Sequence, residues 1–131
     1  MKPPHRFLLA AILLETAPML ACVDTSAPPT CEATASLTVS SGTTPDFSWE
    51  PQCLISTLIV SDTDGVPTAW TIQEYPFAEN LIAPPVHYAT IPDGAVQDGP
   101  PVTLQAGHTY RATIVWIVGS GRGLATKVFV P

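Results

Sequence analysis

Basic residues are scarce in this chain. It has five lysine and arginine residues against eleven aspartate and glutamate residues in 131 positions, a net charge of −6. Charged residues of both signs make up 12% of the chain, about half of the ~25% share that is typical of soluble domains. Since an acidic domain without a basic stripe repels phosphate backbones, we expect no nucleic-acid partner.

Long helical patterns are also missing. After Leu14, no stretch keeps an apolar period of 3.6 residues for three turns without meeting a proline, a glycine or a β-branched run. The 15 prolines and eight glycines are spread along the chain without a repeat. Turns between short strands use such residues, whereas helix interiors exclude them. The sequence therefore predicts an all-β protein.

The motifs of catalysis are missing too. No serine lies in a Gly-x-Ser-x-Gly elbow, and His87 and His108 are the only histidines after the N-terminal segment. Residues 62–65 (DTDG) lack the closing glutamate of a calcium-binding loop and are typical of a hairpin turn. We therefore expect no enzymatic activity, no cofactor and no metal site.

The N-terminal segment begins like an export signal. Lys2, His5 and Arg6 form a basic start, and residues 7–14 (FLLAAILL) form an apolar core. Eight residues span only about 12 Å as a helix, against about 30 Å for the hydrocarbon core of a bilayer. The pattern therefore predicts a signal peptide at residues 1–21 that is removed, rather than a membrane span.

Residues 18–22 (PMLAC) follow this apolar core. They resemble the lipobox of bacterial lipoproteins, in which a small residue precedes a cysteine that becomes the N-terminus. The resemblance implies that Cys22 carries acyl chains such as palmitate and that a lipid bilayer of the bacterial cell envelope is a partner. Two acyl chains anchor a protein stably. Ordinary secretion with Cys22 as a plain thiol is the alternative, although the Ala-x-Ala pattern of that route is absent nearby.

The lipidated cysteine and a polar tether occupy residues 22–32. Within it, residues 23–30 (VDTSAPPT) contain two prolines and reach at most about 26 Å. Removal of the signal peptide leaves three basic and ten acidic residues, a net charge of −7. We therefore expect an acidic domain that lies close to its membrane.

Two further cysteines flank a predicted β-hairpin. Apolar and polar residues alternate on either side of a turn at residues 41–45 (SGTTP). Facing residues of an antiparallel pair have a constant index sum, and the sum for Cys31 and Cys53 centres on residue 42, inside this turn. The two thiols thus fall near the open end of the hairpin, where export favours a disulfide. Two buried free thiols are the alternative.

The segment at residues 33–131 reads as one domain of short alternating strands. The clearest strand is 109–118, with Tyr110, Ile114 and Trp116 on one face. Residues 119–123 (GSGRG) are expected to turn the chain, which then returns at 124–130. About seven strands in this length predict a β-sandwich. The other predicted strands are at 35–40, 46–50, 56–62, 68–74 and 101–104, and a looser stretch lies at 81–88.

Two motifs in this domain resemble fibronectin type III domains, which have an immunoglobulin-like sandwich fold. Residues 104–110 (LQAGHTY) match their Leu-x-x-Gly-x-x-Tyr corner, and residues 47–51 (FSWEP) are similar to their second strand. The resemblance implies structural roles for Leu104, Gly107 and Tyr110, whose hydroxyl would bond to backbone just upstream. It also implies that Trp49 is a core residue.

A cluster of aromatic residues is the candidate partner surface. Core packing would explain most of them, and a partly exposed surface is the alternative. We expect a non-catalytic binding or structural module whose partner is an unidentified envelope protein or glycan. An accessory or degenerate fragment of an envelope hydrolase is the second hypothesis. The candidate surface residues are Trp70, Tyr75, Phe77, Tyr88 and, in the last loop, Arg122.

Overall fold

The structure is a computed structural model that describes residues 31–32, 34–63, 67–77 and 79–131. The predicted signal peptide, Cys22 and tether residues 23–30 lie outside the described residues. Eight strands are found in the described part: β1 (Ser36–Val39), β2 (Asp46–Glu50), β3 (Thr57–Asp62), β4 (Thr68–Glu74), β5 (Val86–His87), β6 (Ala95–Gln97), β7 (Tyr110–Val118) and β8 (Gly121–Phe129).

The strands form two antiparallel sheets. The small sheet has the order β1-β2-β5, and the large sheet has the order β6-β4-β3-β7-β8. The predicted all-β, two-sheet architecture is therefore confirmed. No helix in the described part of the chain is long and apolar enough to cross a membrane.

The described part of the chain has eight strands where seven were predicted, and the differences lie between β4 and β7. The chain forms β5 and the short β6, whereas the predicted strand at 101–104 is absent. Pro100 and Pro101 carry no N–H group, so this segment cannot pair continuously with a neighbour. It makes an isolated bond instead, in which the N–H of Val102 donates to Ala69 O (2.8 Å).

The core lies between the two sheets. Alternation along the strands directs Leu37, Phe47 and Trp49 from the small sheet and Ile72 and Ile114 from the large sheet into it. Tryptophans from both sheets are almost completely buried. Because a buried indole N–H needs a partner, each one donates a hydrogen bond: Trp49 to Cys53 O (2.7 Å), Trp70 to Gln97 Oε1 (3.2 Å) and Trp116 to Glu32 O (2.9 Å).

The predicted disulfide between Cys31 and Cys53 is confirmed, with Cα atoms 4.9 Å apart. The hairpin register is shifted by two residues from the one the cysteines implied, since Ser36 faces Glu50 and not Ser48. The bridge still forms because the chain turns after β2, where the N–H of Cys53 donates to Pro51 O (2.7 Å). Cys31 is buried, so the folded domain includes the last two residues of the predicted tether.

The corner before β7 has the hydrogen bond that its sequence motif implies. Tyr110 is 7% exposed, and its hydroxyl accepts the N–H of Gln105 (3.1 Å). Leu104 is buried beneath the corner. Gly107 has a φ of +79°, a conformation that side chains with a Cβ rarely adopt. The motif therefore fixes the entry of the chain into β7.

The sandwich has two distinct ends. At the disulfide end, the chain enters through Cys31, β3 and β8 begin, and β4 and β7 end. At the corner end, β3 closes at Asp62, β7 begins at Tyr110, and Pro131 O accepts the N–H of Gly107 (3.3 Å). The candidate sites described next lie at opposite ends.

Candidate functional site

A groove of about 370 Å³ lies at the disulfide end of the large sheet. It forms where the first residues of β3 and β8 meet the last residues of β4 and β7. Thr57, Gln73 and Ile117 alternate with buried neighbours, which places their side chains on the outer face of the sheet. We call this site the end groove; its lining residues are Ser56, Thr57, Gln73, Glu74, Phe77, Ile117 and Arg122.

The floor of the end groove is polar and well ordered by hydrogen bonds. Ser56 and Glu74 are only 4% and 5% exposed. The Ser56 hydroxyl donates to Val115 O (3.0 Å), and the backbone carbonyl of Ser56 accepts the N–H of Glu74 (2.8 Å). The first bond holds the Ser56 side chain against β7, and the second holds the backbone of Glu74 beside the residue that precedes β3, which gives the groove a preformed shape.

Two exposed aromatic side chains stand at the rim of the end groove. Tyr75 and Phe77 are 63% and 59% exposed. Their rings meet edge to face with centroids 5.8 Å apart, a favourable arrangement for an aromatic pair. The carboxamide of Asn80 holds the following segment against β7, since it donates to Ile117 O (2.9 Å) and accepts the N–H of Ile117 (2.8 Å). Both ends of this aromatic segment are therefore attached to the large sheet.

The prediction of a partner surface is wrong for Trp70 and Tyr88. They are 1% and 4% exposed, and their rings pack edge to face with centroids 5.2 Å apart. The Tyr88 hydroxyl donates to Val102 O (2.5 Å), and burial raises the pKa of Tyr88 to about 12. Both rings bury large apolar areas between the sheets, which is why they belong to the core.

Arg122 reaches the end groove because it lies in a strand. The predicted loop at 119–123 shrinks to Gly119 and Ser120, with Gly119 at a φ of +57°, as the first position of a type II′ hairpin turn requires. Arg122 pairs with Ile117 across β7 and β8. The structure thus brings together Phe77 and Arg122, with Tyr75 beside them.

A second depression, of about 240 Å³, lies at the corner end. Its rim carries His108 and Asp62, whose Nε2 and Oδ2 atoms are 2.6 Å apart. The hydrogen bond from His108 is the main reason that the pKa of Asp62 lies below its usual value. The lining residues include the hydroxyls of Thr68, Thr103 and Tyr110 but no serine or cysteine.

The histidine contacts were not predicted from the sequence. His87 Nδ1 lies 2.8 Å from Asp46 Oδ1 on the exposed face of the small sheet, and His108 contacts Asp62 at the corner end. Each pair joins residues that are more than 40 positions apart, so no local spacing could have indicated it. Within the described ranges, no group of three His, Cys, Asp or Glu side chains could hold a metal ion.

No protein-family model, curated protein or solved structure shows significant similarity to this chain. The geometry of the two depressions therefore carries the functional argument.

Proposed function

We propose that this protein is a membrane-anchored, non-catalytic binding module of the bacterial cell envelope, and that its partner binds in the end groove. The observation that carries the proposal is the meeting of Phe77 and Arg122, from distant parts of the sequence, in one preformed groove. Binding sites are typically concave, with a few polar groups fixed by a rigid scaffold. Arginine and aromatic residues, phenylalanine included, are also enriched in protein interfaces relative to the rest of the surface.

The proposed anchor is the acylated Cys22. The chain enters the domain at Cys31, whose disulfide to Cys53 lies at the same end as the groove. Eight residues separate Cys22 from Cys31, and they reach at most about 26 Å. The end groove would therefore stay close to the membrane, where an envelope partner is concentrated.

We further propose that the domain is fibronectin type III-like. Two observations support this: the division of the strands into β1-β2-β5 and β4-β3-β7-β8 with the added β6, and the hydrogen bond of the Tyr110 corner. Domains of this architecture present binding residues on loops and strand ends of a rigid sandwich.

The anchor is tested by expressing the full-length chain in a bacterium. We expect the protein to partition into detergent and its N-terminal peptide to carry the mass of acyl chains. Cys22→Ser should leave an uncleaved precursor. A soluble mature protein with an unmodified N-terminus at another residue would contradict the anchor without affecting the groove.

The groove is tested by crosslinking the anchored protein in native envelopes. Tyr75→Ala, Phe77→Ala and Arg122→Ala should each weaken recovery of the crosslinked partner while leaving the melting temperature nearly unchanged. Val130→Ala and Arg111→Ala are matched controls, because both side chains are exposed and lie outside the groove lining. Undiminished recovery with all three groove variants would overturn the proposal.

The second candidate function, a degenerate hydrolase fragment, rests on the His108 and Asp62 pair. In nucleophilic catalysis a histidine acts as the general base and a carboxylate orients it, as His108 and Asp62 could do. Such a site also needs an activated nucleophile. A screen of hydrolase substrates tests this candidate. The hydrolase candidate is favoured only if the protein hydrolyses a substrate in this screen and His108→Ala abolishes that activity.

A further inference from the structure

We infer that the end groove binds a neutral saccharide of one or two pyranose rings. This inference rests on the proposed function, since it names the ligand class for the same groove. It depends on the polarity of the groove, its aromatic rim, its charge and its size.

The polarity of the groove fits a ligand rich in hydroxyl groups. Five of its seven lining side chains are polar, namely Ser56, Thr57, Gln73, Glu74 and Arg122. Thr57 and Gln73 are half-buried and Arg122 is exposed, so an apolar ligand such as an acyl chain would remove these three groups from water without replacing their hydrogen bonds, which is costly. Sugar hydroxyls both donate and accept, so they can pair with the Thr57 hydroxyl, the Gln73 amide and the Arg122 guanidinium alike.

The aromatic rim fits the apolar C–H face of a sugar ring. The C–H groups of a pyranose ring carry a small positive charge, and the face of an aromatic ring is negative. Phe77 supplies such a ring on the groove wall, and its contact with Tyr75 limits its orientation.

The charge and the size of the groove further narrow the range of possible ligands. The groove lining has one carboxylate, on Glu74, and one guanidinium, on Arg122, so neither a strongly anionic nor a strongly cationic ligand is favoured. Its volume of about 370 Å³ lies near the lower end of the range of roughly 300–1,000 Å³ for ligand sites. A mono- or disaccharide fits this space better than a folded protein surface.

Saturation-transfer difference NMR tests the inference on the full-length protein in micelles of a detergent without a sugar headgroup. The probes are N,N′-diacetylchitobiose, cellobiose and maltose, with glycerol as a polyol control. We expect transfer to at least one disaccharide, strongest on the ring C–H protons that stack on Phe77, and none to glycerol. Absence of transfer to all three disaccharides would overturn the inference.

Matched variants locate the binding site. Phe77→Ala should weaken binding about fivefold, the size of a lost aromatic contact, and Arg122→Gln should also weaken it. Val130→Ala and Arg111→Gln should bind as the unchanged protein does. If the disaccharide signal is the same in all four variants, the sugar binds elsewhere and the inference is wrong.

The outcome also separates this inference from the proposed function. If no disaccharide binds but partner crosslinking still depends on Tyr75, Phe77 and Arg122, the groove binds another class of partner and only the saccharide is wrong. If neither disaccharide binding nor crosslinking depends on these residues, both proposals fail.

Discussion

The indole ring of Trp116 occupies the space that a side chain on residue 123 would need. Gly123 faces Trp116 across β7 and β8, and a Cβ placed on Gly123 would overlap the indole atoms Cε2, Nε1 and Cζ2. Because the glycine leaves this space free, the indole N–H extends to Glu32 O (2.9 Å). The absence of a side chain on Gly123 therefore allows Trp116 of β7 to bond to Glu32, at the point where the chain enters the domain.

Gly123→Ala should destabilise the domain by about 1–3 kcal/mol, the usual cost of overpacking. The methyl group would force the Trp116 ring to move and break its bond to Glu32. Gly121→Ala is the matched control two residues away, because its Cβ would meet only Val118 O at 3.6 Å, an ordinary contact. Urea unfolding of both variants checks the difference. Equal stability of the two would show that Trp116 adjusts freely.

The second prediction concerns the Tyr110 corner. Tyr110→Phe removes the hydroxyl that accepts the N–H of Gln105 and should cost about 1–3 kcal/mol, since a partly buried donor loses its partner. The control is Tyr75→Phe, which changes the same group on a side chain that is 63% exposed. Denaturant unfolding should separate the two variants. A neutral Tyr110→Phe would mean that water replaces the corner bond.

The third prediction concerns the disulfide. Thiol titration of the unfolded, unreduced protein should find about zero free thiols from Cys31 and Cys53. The double variant Cys31→Ser/Cys53→Ser should lose about 3 kcal/mol, the loop entropy expected for a sequence separation of 22 residues. Its unfolding midpoint in urea measures the loss. A free thiol count near two would contradict the bridge.

Strict alternation is what made much of the fold predictable. The inward positions of β2 and β7, such as Phe47, Trp49 and Ile114, follow a period of two that sequence alone reveals. β4 begins and ends at the predicted residues, Thr68 and Glu74. The disulfide followed from the same pattern, because a shift of two residues in register keeps the faces unchanged.

The candidate partner surface was predictable only in part, because the exposure of an aromatic side chain depends on how the two sheets pack together. Trp70 and Phe77 are both aromatic residues near turn-forming prolines in the sequence, yet one is 1% and the other 59% exposed. No local pattern distinguishes them. Gly123 likewise resembled a loop glycine, since only the packing of Trp116 against β8 shows why a side chain is excluded there.

The last prediction concerns the effect of acid on the contact between His108 and Asp62. The pKa of Asp62 is lowered in the folded state, chiefly by its hydrogen bond with His108. A lowered carboxyl pKa stabilises the fold at pH values above the unfolded-state pKa of about 3.9. This contribution is lost as the pH falls through the folded-state value. The unchanged protein should therefore lose stability more steeply below about pH 4 than His108→Ala, which has no side-chain donor to pair with Asp62.

Two measurements check this prediction. Carbon-detected NMR titration should show the pKa of Asp62 rising toward its ordinary value in His108→Ala. His87→Ala is the control, since His87 contacts Asp46 on the small sheet and its replacement should leave the Asp62 pKa unchanged. Melting temperatures should then show the gap between the unchanged protein and His108→Ala narrowing from about pH 5 to about pH 2.5, as Asp62 becomes protonated in both. A gap that stays constant over this range would mean that His108 supports the corner end through its ring contact with Tyr110 and not through the carboxylate.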